Sequence, residues 1–179
     1  MKLHLGCGKK YLPDYVHIDV IEYDHIDYVS DISVLTFIED NTVEEIYACH
    51  VLEHFKRNKI NKVLKEWFRI LNVNGILRIS VPNFESVVDY YKETNDLMSL
   101  QGLLYGGQTY DYNYHHVTFD FKLLSSFLTK AGFKNIQHYD WEGFLPENYD
   151  DYSRAYIPHM DFKNGKLMSL NIICSKSYV

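Results

Sequence analysis

The stretch Lys2-Leu3-His4-Leu5-Gly6-Cys7-Gly8-Lys9-Lys10 decides how the rest of this chain is read. A short apolar run stops at one glycine, and a second glycine follows two residues later. The run reads as a buried strand. Two glycines after it let the backbone bend sharply and come close to a ligand. A tight strand-to-helix turn with no ligand would use the same residues, so the loop alone leaves both readings open. It does exclude two nucleotide sites. A nicotinamide fingerprint needs a third glycine at position 11, where Tyr11 stands, and a P-loop needs Gly-Lys-Ser/Thr where this chain has Gly8-Lys9-Lys10.

Outward from the loop, Val16–Val20 (VHIDV) reads as a second strand ending around Asp19. A carboxylate there can accept two hydrogen bonds from a ribose diol. Tyr28–Val29 is a third, very short strand before Asp31-Ile32, where a carboxylate and a backbone amide could meet an adenine edge. Strand-end solvation and a helix cap are the plain alternatives for both acids. Glu45–Cys49 is a fourth strand. Ile60, Val63, Leu64, Trp67, Phe68 and Leu71 recur at helical spacing, and Asn74-Gly75 ends that helix. Ile76–Val81 is a fifth strand closed by Pro82; Phe84–Tyr91 and Leu97–Leu104 look helical. Leu124, Phe127, Leu128 and Ala131 mark a helix capped by Gly132, and Lys134–Tyr139 and Leu167–Cys174 are the last strands. Asp140–Gly165 between them is irregular. Strands alternating with amphipathic helices predict an α/β fold with parallel pairing. In such a sheet ligands bind at the carboxyl ends of the strands, near the switch point.

Bulk properties narrow the class. A chain of 179 residues with 46% apolar residues supports one domain over residues 1–179. The net charge is −6, with no basic run longer than Lys9-Lys10, which argues against a nucleic-acid partner. Cys7, Cys49 and Cys174 form neither a CxxC nor an even set, and free thiols beside strands predict a reducing, cytoplasmic location. No apolar stretch approaches the ~18 residues of a membrane span, and the N-terminus lacks a signal peptide's apolar core. The aromatic content is high, with 16 Tyr and 10 Phe, dense between Tyr105 and Tyr114 and between Tyr139 and Tyr156. These rings read either as core and surface filler or as the walls of a small-molecule pocket.

The ordered set resembles class I S-adenosylmethionine-dependent methyltransferases, the type-11 group in particular. LHLGCG resembles their first motif and VHIDV the second-strand motif with its ribose-binding acid. IEDNTVEEIYACHVLEHF and EWFRILNVNGILRISVPN resemble the stretches around the fourth and fifth strands, and FDFKLLSSFLTKAGFKNIQ resembles the late helix-strand unit. Several details depart from the pattern. Lys10 replaces a third glycine, Glu44 replaces an Asp, and Val73-Asn74-Gly75 replaces Pro-Gly-Gly. The 11-residue step from Gly8 to Asp19 leaves room for only about one helical turn. The resemblance implies a doubly wound, Rossmann-like sheet of about seven strands, one antiparallel, with helices on both faces. It implies S-adenosylmethionine as cofactor, held by Gly6, Cys7, Gly8, Asp19, Asp31 and Ile32. It also places His50 beside the methionine moiety and Leu52 near the sulfonium. A small-molecule acceptor is expected, a saccharide or lipid precursor being the first choice. DNA adenine methylation is not, because Cys49-His50-Val51-Leu52 stands where D/N/S-P-P-Y/F would be.

Four histidines need a second reading. His50-Val51-Leu52-Glu53-His54 matches H-x-x-E-H, which on a helix would ligate zinc with Glu53 as base and make a hydrolase. The segment leaves a strand, so no metal site is expected. A cofactor-binding protein without turnover is the other rival. His115-His116 follow the tyrosine-rich loop and are candidate bases on a lid; polar loop residues are the plain alternative. Adjacent residues of extended chain point to opposite sides, so one should face the methyl group, with His116 favoured over His115 and then His50. Asp150-Asp151-Tyr152-Ser153 resembles a late Asp-x-Ser element, or caps a turn.

Overall fold

The computed structural model describes residues 1–177. Its strands are β1 (Lys2–Leu5), β2 (Val16–Asp19), β3 (Tyr28–Val29), β4 (Val43–Cys49), β5 (Leu71–Pro82), β6 (Lys134–His138), β7 (Tyr156–Ile157), β8 (Lys166–Leu167) and β9 (Ser169–Ser175). Seven of them form one sheet in the order β3-β2-β1-β4-β5-β9-β6, while β7 and β8 pair separately. β1 through β5 are parallel to one another, and β9 runs antiparallel to both β5 and β6. The chain begins mid-sheet, winds out to β3, and returns to place β4 against β1. The winding therefore reverses between β1 and β4, which makes their carboxyl ends the place for a ligand.

The strands alternate strictly, and this gives the two sheet faces different chemistry. Leu3, Leu5, Ile18, Ile46, Ala48, Leu77, Ile79, Leu170, Ile172 and Cys174 belong to one apolar core. Helices α1 (Ile60–Ile70) and α4 (Phe121–Ala131) close that core, burying Val63, Leu64, Trp67, Leu124 and Leu128. The residues between, His4, His17, Tyr47, Arg78, Ser80 and Asn171, line the other face. Leu12, Trp141, Leu145 and neighbouring tyrosines cover it. The irregular stretch forms that cover with 3-10 turns at Trp141–Gly143 and Tyr152–Arg154 in place of helices. The Tyr47 hydroxyl donates to the Asp151 carboxylate, and Asn171 Nδ2 donates to the Ser153 carbonyl at 2.8 Å. Asp151 also caps its own turn through Ser153 N–H at 2.9 Å. The Asp-x-Ser element thus straps the cover to the sheet. Helices α2 (Phe84–Thr94) and α3 (Gln101–Tyr105) carry the chain from β5 to the tyrosine-rich loop, with Val87 buried on Leu100 and Met168.

Two local expectations are corrected. No helical turn joins β1 to β2; the crossover is a set of turns, with Lys10 N–H on the Cys7 carbonyl at 3.0 Å. Helix α1 ends at Ile70, four residues before Asn74. Lys176 Nζ reaches back from beyond β9 and donates to the carbonyls of Phe68, Arg69 and Leu71 at 2.6, 3.2 and 2.8 Å. A cation at a helix carboxyl end satisfies its free carbonyls and opposes the dipole. Asn74, with φ 67°, then makes the turn inside β5.

Candidate active site

Gly6 and Gly8 leave β1 in left-handed conformations, with φ of 63° and 53°, for different reasons. A Cβ on Gly6 would lie 2.5 Å from Val51 Cγ2, so this glycine lets the loops after β1 and β4 touch. A Cβ on Gly8 would meet nothing within 4 Å. The first glycine packs, and the second faces open space. Gly8 N–H donates to Asp19 Oδ2 at 2.8 Å and Ile21 N–H to Oδ1 at 2.9 Å. Each oxygen keeps a further lone pair. Asp19 is thus held at the end of β2, buried and oriented by the glycine loop. Cys7 lies between the glycines with its thiol buried. Burial, then the nearby Asp19 charge, pushes the thiol up to about 12, so it stays protonated and offers a ligand only its backbone.

Asp31 is exposed and spends Oδ1 on Ser33 N–H at 2.8 Å. Ile32 is buried, and its carbonyl accepts from Trp67 Nε1–H at 2.9 Å. The second oxygen of Asp31 remains for a ligand. A depression of about 240 Å³ opens beside it, lined by Val34, Phe55, Lys59 and Val63 among others. Leu52 is a correction. It is 0% exposed and sits in the main apolar core, so it cannot touch a sulfonium.

The tyrosine-rich loop is tied to the turn after β4, where His54 Nδ1 meets the Tyr114 carbonyl at 3.2 Å. Burial and the proximity of Tyr23, Asp19 and Tyr152 raise the Tyr110 hydroxyl above its ordinary range. The Tyr152 ring lies 5.3 Å from that of His50. Asn113 organises the loop, accepting from Gln108 N–H at 2.9 Å and Gly107 N–H at 3.2 Å. A Cβ on Gly106 would lie 2.4 Å from the Asn113 carbonyl oxygen. Its glycine thus permits a close backbone approach. Nothing in the sequence spacing relates Tyr152 to His50.

The histidines sort by direction. His50 leaves β4 with φ 51°, and its N–H binds the Ser80 carbonyl at 2.9 Å. The chain then enters a 3-10 turn over Leu52–His54. His50 and His54 do not share an α-helical face, so the H-x-x-E-H zinc-hydrolase geometry does not form. His50 Nδ1 lies 3.4 Å from Glu53 Oε1, and its Nε2 lies 3.2 Å from Ser169 Oγ. His115 points inward, its Nε2 4.0 Å from the same Glu53 oxygen and its Nδ1 2.9 Å from the Leu103 carbonyl. His116 is exposed; its backbone N–H binds the Glu53 carbonyl at 2.8 Å. Burial, then neighbouring histidines, lowers His50 to about 3 and His54 to about 4, and burial lowers His115. Burial lifts Glu53 to about 8.

Residues 3–79 match a methyltransferase-domain family model, type 11. Over that stretch, less than half of its length, the chain is similar to S-adenosylmethionine-dependent methyltransferases of the type-11 group. Solved structures share its fold. A SAM-dependent methyltransferase from Archaeoglobus fulgidus is 14% identical, with 98% of this chain and 85% of that one covered at a TM-score of 0.59. The 1,6-didemethyltoxoflavin-N1-methyltransferase of Burkholderia thailandensis, solved with its substrate and S-adenosylhomocysteine, is 14% identical, with coverage of 99% and 71% and a TM-score of 0.61. No curated protein matches significantly. Among the described residues no helix is long and apolar enough to cross a membrane. The open space at Gly8 and the oriented Asp19 carboxylate fit the cofactor. When bound, the cofactor supplies an electrophilic methyl group on a sulfonium.

Proposed function

We propose that the chain is an S-adenosylmethionine-dependent methyltransferase that holds its cofactor through the backbone of Gly6, Cys7 and Gly8, with Asp19 on the ribose and Asp31 and Ile32 at the adenine. His50 borders the methionine end. Its acceptor is a small hydroxylated molecule, of the kind found in saccharide or lipid precursors. The observation that carries this reading is the Gly8–Asp19 pair, in which the glycine N–H orients the carboxylate at 2.8 Å. A carboxylate oriented at a glycine that faces open space suits a ribose diol, and tyrosines combine an apolar face with a polar tip suited to a small polar substrate. A net charge of −6 disfavours a nucleic-acid acceptor. Three free thiols favour the cytoplasm. We read residues 1–179 as a single domain. Of the candidate bases, His116 is the one free to take the acceptor's proton. His50 and His115 each turn one ring nitrogen to Glu53 and tie the other to Ser169 or Leu103.

Calorimetry with S-adenosylmethionine and S-adenosylhomocysteine tests the cofactor site. Asp19→Ala should weaken binding by about 1.5–3 kcal/mol, roughly 10- to 150-fold, if the lost hydrogen bonds are those of a charged acceptor. Wild-type protein that binds neither compound would sink the assignment. Transfer of labelled methyl into a metabolite extract then tests the acceptor class. Label found only in macromolecules would overturn it. With an acceptor identified, His116→Ala should lose turnover and keep its cofactor affinity.

A further inference from the structure

The Glu53 carboxylate is 0% exposed, and neither oxygen has a hydrogen-bond partner among the described residues. A buried acceptor group left unpaired is costly, so native structures rarely leave one without a ligand or ion to satisfy it. Three histidines surround this one. His50 Nδ1 and His115 Nε2 approach Oε1 to 3.4 and 4.0 Å, and the His54 and His115 rings lie 4.7 Å apart edge to face. One ligand atom each from Glu53, His54 and His115 lies within 4.8 Å of the others.

The far side of each ring is anchored as well. His115 Nδ1 meets the Leu103 carbonyl at 2.9 Å, and His54 Nδ1 meets the Tyr114 carbonyl at 3.2 Å. A carbonyl accepts only a proton, so each bond places the hydrogen on Nδ1 and leaves Nε2 with its lone pair. Histidines that ligate metals are held in this way, the second nitrogen donating to a carbonyl or carboxylate. We infer that Glu53, His54 and His115 bind a divalent first-row transition-metal ion, with His50 beside it as a fourth donor. Two imidazoles and a carboxylate suit zinc or its neighbours better than magnesium or calcium.

The fit needs only a small contraction. Ligands at ~2.1 Å from a tetrahedral ion stand about 3.4 Å apart, against the 4.0 Å between Glu53 Oε1 and His115 Nε2. The site joins two distant parts of the chain. Glu53 and His54 follow β4, whereas His115 closes the tyrosine-rich loop. An ion here would pin that loop to the end of the sheet, beside His116 and the proposed acceptor space. The donor set differs from H-x-x-E-H, because its third member comes from 62 residues beyond Glu53.

The site is testable without any acceptor. Untagged protein, stripped with a chelator and dialysed, is titrated with Zn²⁺, Mn²⁺ and Co²⁺. Calorimetry, elemental analysis and visible absorption of the Co²⁺ form are the readouts. One ion per chain is expected, with a rise in melting temperature. Glu53→Gln, His54→Ala and His115→Ala should each weaken binding by more than about 100-fold, the upper end of what removing an outer-shell partner costs. His159→Ala, at an exposed histidine elsewhere, should leave it unchanged. Glu53→Gln also guards against misfolding, since it keeps the shape of the buried side chain and takes away only the carboxylate that would ligate the ion. Its metal-free form should melt no lower than metal-free wild type, yet lose the metal-induced rise. Absence of stoichiometric binding for all three ions overturns the inference, as does binding that survives the three substitutions. Neither outcome bears on cofactor binding at Asp19.

Discussion

The two faces of the sheet are made by the same strands and held by different physics. On the helical face, side chains from β1, β2, β4, β5 and β9 meet α1 and α4 in a contiguous apolar core. The opposite face presents His4, His17, Tyr47, Arg78, Ser80 and Asn171 to an irregular cover. Parallel strands covered on both faces ordinarily read as continuous apolar runs. Here they alternate, as half-solvated strands do, although both faces are covered. The lesson concerns what each cover must supply. Apolar side chains need only volume and shape, which an amphipathic helix provides. Buried polar side chains need partners in fixed places, and a loop can set its carbonyls and carboxylates where a regular helix has none free.

Disturbing the helical face should have the largest effect. Trp67 is fully buried on α1 and also ties Ile32 through its indole N–H. Trp67→Ala should cost about 3–5 kcal/mol in urea denaturation, the range for deleting a large core aromatic. An effect below about 1 kcal/mol would mean that the helical face is not the stability core. On the opposite face Tyr47→Phe keeps the packing and removes only the hydroxyl bonded to Asp151. It should cost about 1–3 kcal/mol and loosen the cover, seen as faster proteolysis between Asp140 and Gly165. Unchanged stability and unchanged cleavage would show that the cover is held by its aromatic packing alone.

Acid should separate the faces further. Burial, then the neighbouring His17 and His25, lowers His4 to about 3. Unfolded chains protonate this residue near 6.5, whereas the folded protein stays neutral until about 3. Stability contributed by neutral burial is therefore complete above about pH 6.5 and is lost as pH falls through that window, by at most ~1.4 kcal/mol per unit. His4→Leu should make the acid limb of the stability curve shallower by up to that slope between pH 6.5 and 4, measured by denaturation at a series of pH values. An identical slope in wild type and variant would exclude His4 as a source of acid sensitivity.

Much of the helical face was legible. β1 and β3 appear at their expected bounds, and α1 begins at Ile60, because strand and helix periods are written directly in the apolar spacing. Gly132 caps α4 as expected, with φ 115°. The cofactor side was half legible. Gly6, Gly8 and Asp19 were visible as a motif, but the two glycines' different tasks depend on Val51, which pattern cannot place beside them. The end of α1 was misread because its cap, Lys176, lies more than 100 residues away. Leu52 was misread because the 3-10 turn after His50 rotates it into the core.

By itself, the sequence determined the alternation of strands and helices, the glycine loop and the acid at the end of β2; the class of cofactor came from the resemblance of that ordered set to a family. These are local matters, settled by the period of apolar residues and by the backbone freedom of glycine. Only the tertiary structure decided that Tyr152 stands by His50, that Asp151 straps the cover to Tyr47, and that His115 rather than His116 turns toward Glu53. Each is a contact between residues more than 60 positions apart. The direction of a side chain at the end of a loop is set by the packing of everything between, which no local pattern encodes.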